Sequence, residues 1–489
     1  MRQLSGLDAG FLSLETPTAP MLIGGVSLLN PETPDGRLDV EGLRRLIRRR
    51  LHRAVAFRRK LASLPLDLTR PYWVELEPDD VDLEAHIERT ELPEPGGWHE
   101  LSELMAWELS RPLDRDRPLW QMVYVEGLRS IPGIPEHSVA LIGKVHHAAI
   151  DGVSGAEILA ALFDGVGEAS AGKGSAAAPP PALRRPRADP GALDLLTRAG
   201  KDLASVPLAA PRMIGRSLLG MAGGALSRLR KGESPPLPFT APRTPLNRSV
   251  TADRSWAPAF FPLERIKAIK NAEGSTVNDV VLALCATALR GWLTEGGRLP
   301  EDPLVAMVPV SVRAEKEKRE AGNRVSAMLV SLATDEADPL ERLRRIRDAA
   351  RSAKTAHRAV GAQTLVQSAD LLPFALSGLG VRLYSRMQLA ERHRPLFNVV
   401  ITNVPGPPRP LTVGGAALLA HVGAAPLFDG LGLILPVFSY AGTVSIGVTA
   451  DRAVLQDTRS FADRLEEALD ELESALPDPS KTQPEEKTS

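Results

Sequence analysis

Apolar residues recur at helical spacing at Val40, Leu43, Ile47, Leu51 and Val55, and Asp39 stands just before the first of them. An acid there caps a first turn, so the spacing predicts a helix that begins at Asp39. Its other face carries Arg44, Arg45, Arg48, Arg49, Arg50 and Arg53. A second helix is predicted at about 98–109, strands at 120–125 and 139–145, and a further helix on Ile158, Leu159, Leu162 and Phe163. Later in the chain, Thr276 followed by Asp279 reads as a capping box, ahead of buried positions Val277, Val280, Val281, Leu284, Ala288 and Leu289. Strands are predicted at 304–312, 325–332 and 397–402, with two or three more between 416 and 449; helices are predicted at about 339–359 and 460–476.

Both halves therefore mix strands with helices, which predicts two α/β-type domains with mixed sheets. The first runs to about residue 167 and the second covers 244–476, followed by a polar, proline-containing tail at 477–489 expected to be disordered. Between them, 168–243 reads as a linker. Residues 169–190 are rich in Ala, Gly, Ser and Pro and include Pro179-Pro180-Pro181, a composition unsuited to an ordered core. Residues 193–231 are apolar with Arg212, Arg216, Arg228, Arg230 and Lys231 interspersed. That pattern suits a basic amphipathic helix on a lipid surface, or equally a helix packed between domains, since Pro211 and the glycines weaken the amphipathic face.

Composition narrows the class. With 489 residues, 43% hydrophobic content and a net charge of -1, the chain is a globular protein of two to three domains, not a nucleic-acid-coating one. The 59 basic and 60 acidic residues nearly cancel, so attraction to anions must come from local patches. One cysteine, Cys285, excludes an internal disulfide and is read as packing. The start, broken by Asp8, Glu15, Pro17 and Pro20, does not read as a secretory signal. The uncharged stretch 430–450 is long enough for a membrane span, yet Pro436, Gly442 and Gly447 and the alternation Val444, Ile446, Val448 favour two buried strands.

The chemistry concentrates at His146-His147-Ala148-Ala149-Ile150-Asp151-Gly152, directly after the apolar run 139–142. A neutral imidazole at the end of a buried strand is a candidate general base, and Gly152 allows a sharp turn past the acid. The alternative is a core histidine beside a helix-capping aspartate. Metal binding is not expected, because adjacent strand residues point to opposite faces and His146 and His147 should diverge.

This HHxxxDG stretch resembles the signature of the bacterial wax ester synthase/acyl-CoA:diacylglycerol acyltransferase family. The segment from Leu4-Ser5-Gly6-Leu7-Asp8-Ala9-Gly10-Phe11 to Glu15-Thr16-Pro17, the Pro118-Leu119-Trp120 element, Asn278-Asp279 within Val277–Val281, and Thr402-Asn403-Val404-Pro405-Gly406-Pro407 are similar to family elements, in family order. The resemblance implies two chloramphenicol-acetyltransferase-like domains joined by a long crossover, with an active-site tunnel between them. It also implies His147 as base. Ester formation from an acyl thioester and an alcohol fits this independently: His147 takes the hydroxyl proton and returns it to the leaving thiolate, with no covalent acyl-enzyme. No serine or cysteine elbow is visible, and Cys285 is poorly placed as a nucleophile.

Other roles follow with less force. His146 is read as supporting. Asp151 could partner His147 as in a triad; the structural role implied by the resemblance is preferred, because a tight turn would aim it away. Asn278 is a candidate for oxyanion stabilisation or substrate orientation, against simple helix-start preference. Pro118, Leu119, Trp120, Asp279, Asn403, Pro405 and Gly406 are candidates for lining the substrate channel. The implied partners are acyl-CoA, as co-substrate with no other cofactor, and diacylglycerol or a long-chain alcohol. Coenzyme A phosphates need arginine, lysine or backbone N–H groups, but the many arginines offer no choice, and Arg44–Arg53 reads as a solvated face. The expected location is cytoplasmic, peripheral to the membrane or to lipid inclusions. Two competing readings are a carrier-protein-dependent condensation or polyketide-type acyltransferase, and a non-catalytic lipid-surface protein. The intact His147 and the spread of family elements favour the acyl-CoA enzyme.

Overall fold

A computed structural model describes residues 2–34, 36–52, 54–62, 70–150, 162–164, 239–311, 325–360 and 374–477. The expectations for Asp151 and Gly152, for the helix starting at Ile158, for 193–231 and for most of the tail lie outside these residues. Leu162 and Phe163 are described and are buried.

Two six-stranded sheets organise the chain. The first has the spatial order 412–413, 416–424, 22–30, 139–146, 120–126, 87–91; only the last pair is parallel. The second has the order 254–262, 443–451, 433–440, 399–405, 305–311, 325–331, with the 399–405 strand parallel to both neighbours. Both sheets are thus mixed. The central strand Leu22–Asn30 is almost entirely apolar, as a strand covered on both faces requires. Arg254–Pro262 carries Pro258 and Pro262, and it lies at a sheet edge, where a missing N–H is tolerated.

The uncharged stretch forms two strands, Leu433–Tyr440 and Thr443–Asp451, not a helix. Ala441 and Gly442, both at positive φ (45° and 89°), make the two-residue turn between them. Among the described residues no helix is long and apolar enough to cross a membrane.

The predicted helices at Asp39, 98–109 and Thr276 appear as Val40–Arg50, Trp98–Ser110 and Val277–Glu295. Asp39 accepts from the Gly42 N–H at 2.7 Å. The first helix stops before Val55, which begins a separate 3-10 turn. Cys285 is fully buried, and burial pushes its thiol up to about 12.

One strand crosses between the halves. Ala416–Ala424, from the 244–476 stretch, pairs antiparallel with Leu22–Asn30 and so belongs to the first sheet. Trp256, also from the second half, is buried with Val26, Leu28 and Val422 in the first sheet's core and donates from its indole to the Gly423 carbonyl at 3.3 Å. At Gly447 the two sheets approach so closely that a Cβ would lie 1.9 Å from the Gly423 oxygen, so only glycine fits. The lobes are interlocked.

Candidate active site

The site begins at the end of the Val139–His146 strand. His146 is still in register, opposite Leu22, and donates its backbone N–H to the Leu119 carbonyl at 3.0 Å. His147 leaves the ladder: it donates its N–H to Met21 at 2.7 Å and starts a 3-10 turn, His147–Ala149. The two side chains then meet different partners on one short helix, Gly6–Leu14, and on its C-cap residue Glu15; the N-cap Ser5 accepts from the Asp8 N–H.

His147 stacks on Phe11 of that helix, with ring centroids 3.6 Å apart and planes 19° off parallel. Burial lowers its pKa to about 4; its own backbone opposes this, and the neighbouring His146 reinforces it. The ring is therefore a neutral imidazole at any ordinary pH, although the residue is only half-buried. Its Nδ1 is buried with no side-chain partner among the described residues.

His146 is buried, and its Nδ1 accepts the Ala148 N–H at 3.1 Å. In the neutral ring the proton then sits on Nε2, which faces Glu15 Oε2 at 3.6 Å. Arg115 pairs with the same carboxylate. Burial alone would raise the Glu15 pKa, but His146 and Arg115 together overcome it and hold the carboxyl below its ordinary range. One helix thus grips both histidines, His147 through Phe11 and His146 through Glu15. It also packs against helix Phe374–Arg386 of the second half, so the histidines lie where the two halves meet.

The Pro118-Leu119-Trp120 element supports this turn from behind. Leu119 is buried with Leu4, Leu12 and Ala148. Trp120 is buried in the first lobe's core, donates to the Phe57 carbonyl at 3.0 Å and stacks on His86 at 4.3 Å. Pro118 is likewise buried.

A second cluster joins Asn278 and Asn403. Asn278 occupies the first turn of Val277–Glu295, and its Oδ1 accepts from Asn403 Nδ2 at 3.3 Å. The adjacent Asp279 carboxylate turns back on the helix start, accepting from the Thr276 N–H at 2.9 Å and its hydroxyl at 2.8 Å. It is buried and committed to the cap. Pro405 is exposed, while Gly406 lies so close to Ser439 and Phe438 that a Cβ would come within 2.2 Å of the Ser439 carbonyl. No hydrogen bond or ion pair links this cluster to the histidines among the described residues.

Sequence reasoning assigned no role to Phe11, Glu15 or Arg115. It also missed His421, on the crossing strand, whose Nδ1 lies 2.9 Å from the Ser27 hydroxyl and whose pKa burial lowers to about 4. A phenylalanine, an acid and an arginine spread over a hundred residues carry no local signal; only the fold gathers them.

Comparison with known structures places this architecture first in a class. The first condensation domain of the CDA synthetase superposes with a TM-score of 0.53 at 14% identity, covering 98% of this chain and 97% of that one. The starter condensation domain of rhizomide synthetase gives 0.52 at 15%, over 98% and 94%. At such identity these matches carry the fold alone: a two-lobed, condensation-type mixed α/β fold.

Sequence comparison is more specific. Residues 4–281 match the wax ester synthase/diacylglycerol acyltransferase catalytic domain, and residues 321–473 match the C-terminal domain of the same family. A wax ester synthase/diacylglycerol acyltransferase from Marinobacter aquaeolei is 31% identical with a TM-score of 0.65, covering 97% of this chain and 99% of that one. Two Mycobacterium tuberculosis proteins provisionally named diacylglycerol O-acyltransferases are 34% identical over 472 residues (96% of this chain, 90% of the relative) and 36% identical over 477 residues (97% and 100%). The chain belongs to the wax ester synthase/diacylglycerol acyltransferase family.

Proposed function

We propose that the protein transfers a fatty acyl group from coenzyme A to the hydroxyl of a diacylglycerol, a long-chain alcohol, or both. Diacylglycerol stands first because the mycobacterial relatives are named for it. The observation that carries the reading is the His147 imidazole, neutral and held flat against Phe11 at the meeting of the two halves.

In this mechanism the acceptor hydroxyl donates to Nε2 of His147. As its oxygen bonds to the thioester carbonyl carbon, the proton passes to the imidazole. The tetrahedral intermediate then expels the thiolate as the C–S bond breaks, and His147 returns the proton to sulfur. The enzyme ends unchanged and no acyl-enzyme forms. Bound in this way, Asn278 keeps its own amide N–H groups for the developing oxyanion, since Asn403 occupies its carbonyl. His146, anchored on Glu15, holds the turn that presents His147, and Asp151 with Gly152 shapes the backbone beyond it. Such substrates require work at a lipid surface, on the cytoplasmic side.

The test is acyl transfer from palmitoyl-CoA to dipalmitoylglycerol and, separately, to hexadecanol, with ester product and free coenzyme A both quantified. Equimolar ester and coenzyme A supports the reading; no product with either acceptor overturns it.

A further inference from the structure

Of the eight exposed large hydrophobic side chains among the described residues, three follow one helix ridge. Leu379, Leu383 and Met387 stand at four-residue intervals on and just after Phe374–Arg386, with 62%, 53% and 43% of their surface exposed. Such a ridge normally faces a core. Two more lie beside it. Phe239 is 58% exposed and meets His393 edge-on at 6.0 Å, and Leu396 is exposed three residues further on. His393 in turn bonds to Tyr384 of the helix at 2.7 Å, which ties the patch together.

Basic side chains outnumber acidic ones around the ridge. Arg382, Arg386, Arg392, Arg394 and Arg243 are exposed there. Against them stand Glu391, whose carboxylate accepts from the Ser249 N–H, Asp302, 3.7 Å from Arg394, and Asp429, which accepts from the Val250 N–H and whose charge reaches Tyr384. A second copy of a surface so basic would be repelled, whereas an anionic lipid surface satisfies both its features. The helix packs against Gly6–Leu14, whose Phe11 lies on His147.

We propose that the Leu379–Leu383–Met387 ridge and its arginine rim dock the protein on an anionic lipid surface, one helix away from the reacting imidazole. The proposal rests on the lipid-acyltransferase reading for its purpose but not for its test. Apolar side chains insert among the acyl chains at the headgroup boundary while the arginines meet phosphates, and lipid substrates then reach the site without crossing water.

The experiment is co-sedimentation of the full chain with phosphatidylcholine vesicles with and without 30% phosphatidylglycerol. It compares wild type, Leu379→Glu/Leu383→Glu and Arg382→Gln/Arg386→Gln, each checked by circular dichroism and thermal melting. Wild type should bind the anionic vesicles and lose them in high salt. The arginine pair should cost about thirtyfold in partitioning, at roughly fivefold per basic residue, and the leucine pair at least as much. Transfer between butyryl-CoA and hexanol, both soluble, should be unchanged in folded variants. Folded variants that bind as tightly as wild type would overturn the proposal. So would a wild-type dimer that becomes monomeric in Leu379→Glu/Leu383→Glu, which would assign the ridge to a second copy. If vesicle binding is lost in the variants while wild type transfers no acyl group to any acceptor, the docking surface stands and the functional reading falls.

Discussion

Acidification gives the sharpest view of His147, because the structure sets its titration apart from that of an ordinary histidine. The ring is lowered to about 4 by burial against Phe11, whereas a free histidine titrates near 6.5. A base is active only when unprotonated. At pH 5 a group of pKa 4 is about 90% neutral and a group of pKa 6.5 about 3%, a difference of roughly thirtyfold in rate. We expect kcat/KM for the alcohol acceptor, at saturating acyl donor, to stay nearly flat from pH 8 to pH 5 and to fall below that. Product should be followed by radiolabelled ester rather than by a thiol reagent, which itself fails in acid. Phe11→Ala admits water to the ring, and its acid limb should move up towards 6.5; the position of the limb, not its height, is the readout. The fold must be monitored in parallel. His147 and His421 both have folded pKa values below the unfolded one, so the stability they contribute is fully present above pH 6.5 and is lost as pH falls towards 4. That loss is at most about 3 kcal/mol for each. A half-maximal rate near pH 6.5 in a protein still folded would refute the reasoning.

Other expectations concern the frame of the site. Lys144, on the strand that carries His146, and Glu108, on helix Trp98–Ser110, form an ion pair at 2.6 Å with both side chains 2% exposed. Lys144→Met strands a buried carboxylate and should cost about 3–5 kcal/mol by denaturant melts, most of it recovered in Lys144→Met/Glu108→Leu. An unchanged single variant would contradict this. Thr276→Ala removes the cap that accepts from the Asp279 N–H at 3.2 Å and should lower stability by about 1 kcal/mol. Gly406→Ala forces a methyl against the Ser439 carbonyl and should cost about 1–3 kcal/mol; a melting temperature equal to that of wild type would show that the 399–405 and 433–440 strands can part freely.

Much of the frame could be read from local pattern. The Thr276/Asp279 cap, the Asp39 start and the hairpin at Ala441-Gly442 each depend on residues within a few positions of one another, so spacing alone reveals them. The strand leading to His146 could be read for the same reason, as a run of apolar residues followed by a turn. What escaped was non-local. Nothing in Ala416–Ala424 announces that it pairs with Leu22–Asn30, because an apolar strand fits either sheet. The proline-bearing Arg254–Pro262 strand was unreadable until its place at a sheet edge was known. The site shows the same division: His146 and His147 are adjacent in sequence, but Phe11, Glu15 and Arg115 reach them only through tertiary contact. Asp279, a channel candidate by its motif, is instead occupied by its own helix cap.

The claim that His147 is the base for acyl transfer is tested most directly by one substitution. His147→Ala, shown to be folded by its melting curve, should transfer palmitoyl from palmitoyl-CoA to dipalmitoylglycerol or hexadecanol about 10²–10⁴-fold more slowly than wild type at saturating substrates. A folded His147→Ala protein within tenfold of wild type would contradict the account, since some acceptor other than His147 would then be taking the proton.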